Sequence, residues 1–187
     1  MEIIDNFLNI EDQDYLERLL YIEENFPWYL AHTSNYTIHT YKDWIIENTG
    51  LPNEKEYHQF VHTFFAEEKS NSPFWEKIEK IFKSNKYVSI NNFFRVKSNL
   101  NVQIRGATKD THGVLHRDHF ENNYYTILYY VNDSDGDTLL FNKEKNVIKN
   151  IRPKKGRAIL FDSNILHAAS PPLNYKFRIT INCICQK

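Results

Sequence analysis

Lys176-Phe177-Arg178-Ile179-Thr180-Ile181-Asn182-Cys183-Ile184-Cys185 alternates apolar and polar side chains with a period of two. That period marks a β-strand, whose successive side chains point to opposite faces. Phe177, Ile179, Ile181 and Cys183 share one face, which predicts packing against helices. Arg178, Thr180 and Asn182 share the other. A buried polar face is costly unless its groups are paired, and a guanidinium most of all. The pattern therefore predicts a strand whose polar face meets an anion. A bound dicarboxylate would take paired hydrogen bonds from Arg178 and a further one from Thr180. The alternative is an edge strand with Arg178 in water.

Upstream of this strand, segments rich in β-branched and aromatic residues alternate with turn signals from Asn85 onward. They predict strands near 87–97, 99–105, 114–119, 123–131, 138–141, 146–151, 157–162, 165–168 and 176–185. Asn132 to Gly136, Pro153 to Gly156 and Ser170-Pro171-Pro172 mark turns. The first part of the chain reads differently. Tyr15, Leu16, Leu19, Leu20 and Ile22 recur at helical spacing within Glu11 to Glu24, with acidic Glu11 and Asp12 at the start and Pro27 beyond the end. Phe74, Trp75, Ile78, Ile81 and Phe82 form the stripe of a second helix opened by Ser72-Pro73. Tyr57 to Phe65 satisfies both periods and is assigned to a strand, while 28–56 carries little signal. Helices first and many short strands afterwards predict an α+β, mainly β chain whose sheet closes into a sandwich or barrel. The expected organisation is one domain over 1–187, with a helical part over about 1–86 and a β core over about 87–187.

Composition limits the function classes. At 187 residues with 41% hydrophobic residues the chain can bury a core. A net charge of −1 leaves no overall basic field for nucleic acid. The stretch Lys143, Lys145, Lys149, Lys154, Lys155 and Arg157 is interrupted by Glu144 and hydrophobics and reads as a solvated face. No apolar run reaches the length of a membrane span. Cys183 and Cys185, two apart on one face, read as small packing residues in a reducing cytoplasm.

His116-Arg117-Asp118 adds a chemical signal. Two residues apart on a strand, His116 and Asp118 project to the same face, about 6.7 Å along the chain. His167, from a later strand, completes two imidazoles and one carboxylate with open positions, the set expected of a non-haem Fe(II) oxygenase. His119 and Arg117 point the other way, so His119 is not expected to be a ligand and Arg117 is either at the substrate rim or on solvated surface. The polar run from Gly106 to Gly113, with Lys109, Asp110 and His112, is either a lid or an ordinary connection.

The ordered set His116, Asp118, His167, Arg178 and Thr180 resembles the H-x-D…H…R-x-S/T pattern of Fe(II)- and 2-oxoglutarate-dependent oxygenases, in particular their prolyl 4-hydroxylase-like branch. The likeness covers roughly 87–185, and Ile3 to Leu8 is similar to the start of such domains. Thr126-Ile127-Leu128-Tyr129-Tyr130-Val131-Asn132 is similar to the family strand whose second tyrosine, here Tyr130, touches the 2-oxoglutarate carboxylate. Gly136-Asp137-Thr138-Leu139 looks like the family's turn into the next strand. Where relatives often carry a pocket-lining tyrosine, this chain has Asn99 and Asn101.

The resemblance implies a double-stranded β-helix (jelly-roll) core. His116, Asp118 and His167 would be both the catalytic centre and the Fe(II) ligands, with Arg178, Tyr130 and Thr180 on the 2-oxoglutarate cosubstrate. O2 would be consumed, with ascorbate as an optional accessory. The implied reaction is hydroxylation of an unactivated C–H bond, foremost in a peptidyl proline or similar residue, with release of succinate and CO2. The substrate would thus be a peptide, protein or small molecule, with no membrane partner. Three alternatives stay open: a hydroxylase of a free amino acid or other small molecule, a nucleic-acid demethylase of the same superfamily, and a metal-binding cupin-like module without catalysis. The second should show a clustered basic groove with stacking aromatics. The third has no need of Arg178 and Tyr130 together.

Overall fold

A computed structural model describes residues 1–31, 51, 53–55 and 57–187. Most of the weakly patterned stretch 28–56 lies outside these residues. In chain order the elements are β1 (Glu2–Ile4), α1 (Ile10–Glu17), β2 (Tyr29–Ala31), β3 (Gln59–Ala66), β4 (Lys69–Ser70) and α2 (Trp75–Lys83). They are followed by β5 (Asn92–Val102), β6 (Tyr124–Tyr130), β7 (Thr138–Phe141), β8 (Val147–Ile151), β9 (Ala158–Asp162), β10 (His167–Ala169) and β11 (Phe177–Gln186).

Both helices follow from local chemistry. Asn9 caps α1, its side chain accepting from the Asp12 amide, and Glu11 and Asp12 face the positive end of the helix dipole. A single π-turn, Arg18–Ile22, extends α1. In α2 the buried residues are Trp75, Ile78, Ile81 and Phe82, the spacing of one helix face.

The strands form two antiparallel sheets. The larger runs β1-β9-β6-β11-β5-β3-β2, with β4 paired to β3, and the smaller runs β10-β7-β8. One face of the large sheet takes the helices: Ile179, Ile181, Cys183 and Cys185 of β11 pack with Leu16, Leu20, Ile78 and Phe82. Both cysteines are buried free thiols within this layer. The other face meets the small sheet, and Leu128, Tyr130, Ile159 and Phe161 pack there with Leu140 and Ile151. The two sheets enclose a cavity between them.

Three expected strands differ. The segments 87–97 and 99–105 are one strand, β5, because Ser98 continues the ladder and pairs with Ile181 and His62. The stretch 114–119 is not a strand and joins its neighbour through one isolated bridge, His116 to His167. Among the described residues the N-terminal part supplies four strands besides its helices, three of them in the seven-strand run of the large sheet. The basic stretch is tied to the N-terminal part: Lys154 and Arg157 pair with Asp5, and Lys155 with Asp14 and Glu17. Among the described residues no helix is long and apolar enough to cross a membrane.

Candidate active site

The H-x-D stretch is irregular because its backbone bonds run in several directions. Gly113 N–H donates to Ala169 O at 2.8 Å and His116 N–H to His167 O at 3.0 Å. One chain thus advances three residues while the other advances two, which a regular ladder cannot accommodate. The intervening Leu115 N–H goes to Glu54 Oε1 at 3.0 Å. Asp118 N–H then bonds to Ser163 O at 2.9 Å. The stretch is stapled to β10 and to the β9–β10 connection.

This brings together one potential ligand atom each from His116, Asp118 and His167, all within 4.8 Å of one another. Nδ1 of His116 lies 3.1 Å from Val114 O and Nδ1 of His167 lies 2.9 Å from Ile165 O. A carbonyl only accepts, so each Nδ1 carries the proton and each Nε2 presents a lone pair. That is the tautomer a metal needs, fixed by the backbone. Asp118 Oδ2 accepts from Thr126 Oγ1 at 2.9 Å and Asn182 Nδ2 at 3.0 Å, while Arg95 Nη2 lies 3.4 Å from Oδ1.

Burial, reinforced by His167 nearby, pushes the His116 imidazole well below its ordinary value, so it is neutral. Burial alone would raise the Asp118 carboxyl. The fields of His167, Arg95 and His116 and the Asn182 hydrogen bond outweigh it and hold the group ionised. Two imidazole lone pairs and one ionised carboxylate on one side of a cavity fit a divalent iron and leave its other positions open.

Arg178 occupies another part of the same cavity and is 3% exposed. It donates to Gly136 O (2.6 Å), Asn101 Oδ1 (3.2 Å) and Thr138 Oγ1 (2.7 Å), all neutral acceptors. Among the described residues no carboxylate pairs with it. A buried guanidinium without a counter-charge is expensive, and an incoming carboxylate relieves that cost. Thr180 lines the same cavity, its hydroxyl buried with no partner. An orphaned hydroxyl beside a buried cation with only neutral acceptors fits the far carboxylate of a dicarboxylic acid.

Tyr130, expected on the cosubstrate, lies beside Arg178, whose guanidinium carbon is 5.6 Å from its ring centre. It is fully buried between the sheets, and its hydroxyl donates to Thr138 Oγ1 at 2.7 Å. Thr138 therefore accepts from both Tyr130 and Arg178, which occupies both of its lone pairs. Its own proton must point elsewhere, and Thr138 lines the cavity.

Several cavity residues escaped the sequence reading. Tyr57 arrives from just before β3, donates to Ala169 O at 2.8 Å and, through burial, has its hydroxyl pushed up to about 12. Gln59 of β3 accepts from Asn101. Lys97 of β5 is buried beside Asp118, and burial, then Arg95, lowers its ammonium to about 7 against the pull of Asp118. Arg117 donates to Asn164 O at 3.0 Å, and His119 packs against Tyr124 with ring centres 3.8 Å apart. The end of the 106–113 run is anchored, since His112 is buried and exchanges backbone hydrogen bonds with Asn53 and Lys55.

Residues 102–185 match the 2OG-Fe(II) oxygenase superfamily. No curated protein matches the chain. Among solved structures, the chain is similar to a prolyl-4-hydroxylase from Pseudomonas putida, at 11% identity and a TM-score of 0.54, covering 100% of this chain and 92% of that one. It is also similar to a prolyl hydroxylase from Trichoplax adhaerens in complex with a hypoxia inducible factor peptide fragment, at 16% identity and 0.59, covering 99% and 82%. A third is the non-haem alpha-ketoglutarate-dependent epimerase SnoN from nogalamycin biosynthesis, at 8% and 0.59, covering 99% and 77%. Identities this low speak for the fold. The fold is the jelly roll of the 2OG-Fe(II) oxygenases.

Proposed function

We propose that this protein is an Fe(II)- and 2-oxoglutarate-dependent dioxygenase that hydroxylates an unactivated C–H bond and releases succinate and CO2. The observation that carries the reading is one cavity holding both a His-Asp-His ligand set and Arg178, a buried cation whose hydrogen bonds among the described residues all go to neutral acceptors.

His116, Asp118 and His167 would hold the iron, and Arg178, Thr180 and Thr138 would fix the far carboxylate of 2-oxoglutarate, with Tyr130 behind Thr138. Bound iron and cosubstrate supply the oxidising chemistry; the protein supplies position and shelter. The backbone-fixed tautomers of the two histidines keep their lone pairs on the cavity side without rearrangement. Leu115, Leu139, Phe141, Leu166 and Ala168 form an apolar cluster that alternates along the chain with His116 and His167 and backs them.

For the substrate we propose a peptidyl proline or similar residue, with a free amino acid or other small molecule as the alternative. The family resemblance and two prolyl hydroxylases among the similar structures support this. Nucleic acid is disfavoured, because Lys154, Lys155 and Arg157 are spent on ion pairs with Asp5, Asp14 and Glu17. The two buried free thiols support a reducing compartment such as the cytoplasm.

Succinate release with Fe(II), 2-oxoglutarate and ascorbate, screened over prolyl peptides, free amino acids and methylated oligonucleotides, tests the reading. Turnover should require His116, Asp118 and His167. Succinate formation that survives His116→Ala and Asp118→Ala would remove the triad from the mechanism.

A further inference from the structure

The space around the triad is small, about 50 Å³. Bound cosubstrate takes that space, so the body of a larger substrate has to rest outside it. A second cleft, of about 650 Å³, lies within the size range of ligand sites. Strand register leads from one to the other. Thr126, which bonds to Asp118, and Tyr124 are two residues apart on β6 and share a face, about 6.7 Å along the strand. His119 follows Asp118, and its ring centre lies 3.8 Å from that of Tyr124 and 5.0 Å from that of Phe94. Tyr124 and Phe94 both line the second cleft. One aromatic cluster therefore joins the carboxylate of the triad to the cleft.

The walls of the cleft have a definite charge. Phe65, Phe94 and Tyr124 are half-buried in it, and the charged residues that line it are Glu67 and Glu68. The described residues lining it include no lysine, arginine or histidine. Lys69 approaches Glu67 Oε2 at 3.7 Å from outside, an exposed pair of little strength. Both glutamates form the two-residue turn between β3 and β4, flanked by the pair Ala66 and Lys69. Their φ angles are 55° and 57°. A turn with two positive φ angles favours Asn-Gly, and glutamate is strained there. Strain of this kind gathers at ligand-binding positions.

Aromatic walls with two carboxylates and no cation complement a positive charge on a flexible apolar stem. The rings take the methylenes and the face of the charge, and the carboxylates take its hydrogen bonds. An extended peptide with one residue at the triad covers the step from Thr126 to Tyr124 in about two residues, at about 3.3 Å each. We propose that this cleft docks a lysine or arginine side chain of a polypeptide substrate, a few residues in sequence from the one that is oxidised. The inference rests on the dioxygenase reading and gives its substrate a second recognition element, read by Glu67, Glu68 and the three rings.

The full-length protein is loaded with saturating Mn(II) and 2-oxoglutarate under anaerobic conditions and titrated calorimetrically with end-capped peptides centred on proline. Each flanking position carries in turn Lys, Arg, Gln or Glu, and free lysine and arginine are titrated in parallel. Wild type is compared with the Glu67→Gln/Glu68→Gln and Glu67→Lys/Glu68→Lys double variants, which change charge at exposed turn positions without changing the demand on the backbone. At one flanking position at least, Lys or Arg should bind at least tenfold more tightly than Gln, and Glu more weakly still. Free lysine and arginine should bind at least tenfold more weakly than that peptide. The Gln variant should bring the Lys and Gln peptides within twofold of each other, and the Lys variant should reverse the preference in favour of Glu. Mn(II) and 2-oxoglutarate constants should stay within twofold in both variants.

A basic-residue preference that survives Glu67→Lys/Glu68→Lys would overturn the proposal, as would the absence of any preference for a basic flank. Free lysine or arginine binding as tightly as the best peptide would also overturn it, because the partner would then be a small cation. Each of these outcomes leaves the dioxygenase reading standing. A wild-type protein that takes up no 2-oxoglutarate with Mn(II) would instead overturn that reading, and this inference with it.

Discussion

The hydroxyl of Tyr130 donates to Thr138 Oγ1 at 2.7 Å and so fixes the oxygen on which the Arg178 Nη2 group rests. Removing the Tyr130 hydroxyl leaves Thr138 free to turn and Arg178 with a looser seat. Tyr130→Phe should weaken 2-oxoglutarate roughly tenfold, the size of one hydrogen bond in a charged network. Its affinity for Mn(II), read by calorimetry, should be unchanged. Arg178→Met should cost at least a hundredfold more than wild type requires, since the bidentate carboxylate contact itself is lost.

Gly136 is held to glycine by close approach. A Cβ there would lie 2.6 Å from Ser170 O, 2.9 Å from Pro172 N and 3.0 Å from Arg178 Cδ. Two of these are backbone atoms that cannot yield, and the third belongs to the residue whose Nε bonds to Gly136 O. Gly136→Ala should therefore lower stability by about 1–3 kcal/mol through overpacking. It should also weaken 2-oxoglutarate more than tenfold. Denaturant unfolding and calorimetry read the two effects separately.

The large sheet was legible because both of its faces leave a trace in sequence. Ile179, Ile181 and Cys183 pack against helices, while Arg178, Thr180 and Asn182 line the cavity, just as their alternation requires. The H-x-D stretch was legible in chemistry but not in backbone. Its extra residue depends on the pairing with β10, and the Leu115–Glu54 bond on a segment 61 residues away, neither of which a local pattern records. Lys97 looked like an ordinary strand lysine, because alternation says which side a residue faces and not whether that side is wet. Tyr57 was hidden for a related reason: the chain before β3 carries no motif, and only the closed fold brings its hydroxyl to Ala169. Tyr130 was correctly placed on the inward face, yet the depth of its burial depends on the opposing small sheet.

Thr126 tests how the carboxylate of the triad is held. Its hydroxyl donates to Asp118 Oδ2 at 2.9 Å and also contacts Ser163 Oγ at 2.9 Å. Thr126→Val keeps the shape and removes both bonds. Partners of a metal ligand are typically worth ten- to a hundredfold in metal affinity. Mn(II) affinity should fall by about tenfold, while 2-oxoglutarate affinity at saturating Mn(II) should hold. A fall in the second quantity alone would place Thr126 on the cosubstrate instead.

Asp5 predicts a pH dependence that can be isolated from the site. Its hydrogen bond with Arg157 lowers its carboxyl to about 2, against the opposing effect of burial, and Lys154 assists. A group depressed in the folded state favours folding while it is ionised. Its contribution is fully present above the ordinary carboxylate range near 4 and is lost as pH falls through about 2. The Asp5 side chain is 39% exposed, so its worth is bounded by the roughly 1 kcal/mol reached by surface ion pairs. Asp5→Asn should lower the urea midpoint at pH 7, and the gap to wild type should close as pH falls from 4 towards 2. Comparing the two proteins at each pH cancels the other carboxylates. A gap that stays constant across that window would mean that Asp5 stabilises β1 by shape or uncharged hydrogen bonding rather than through its ionised pair with Arg157.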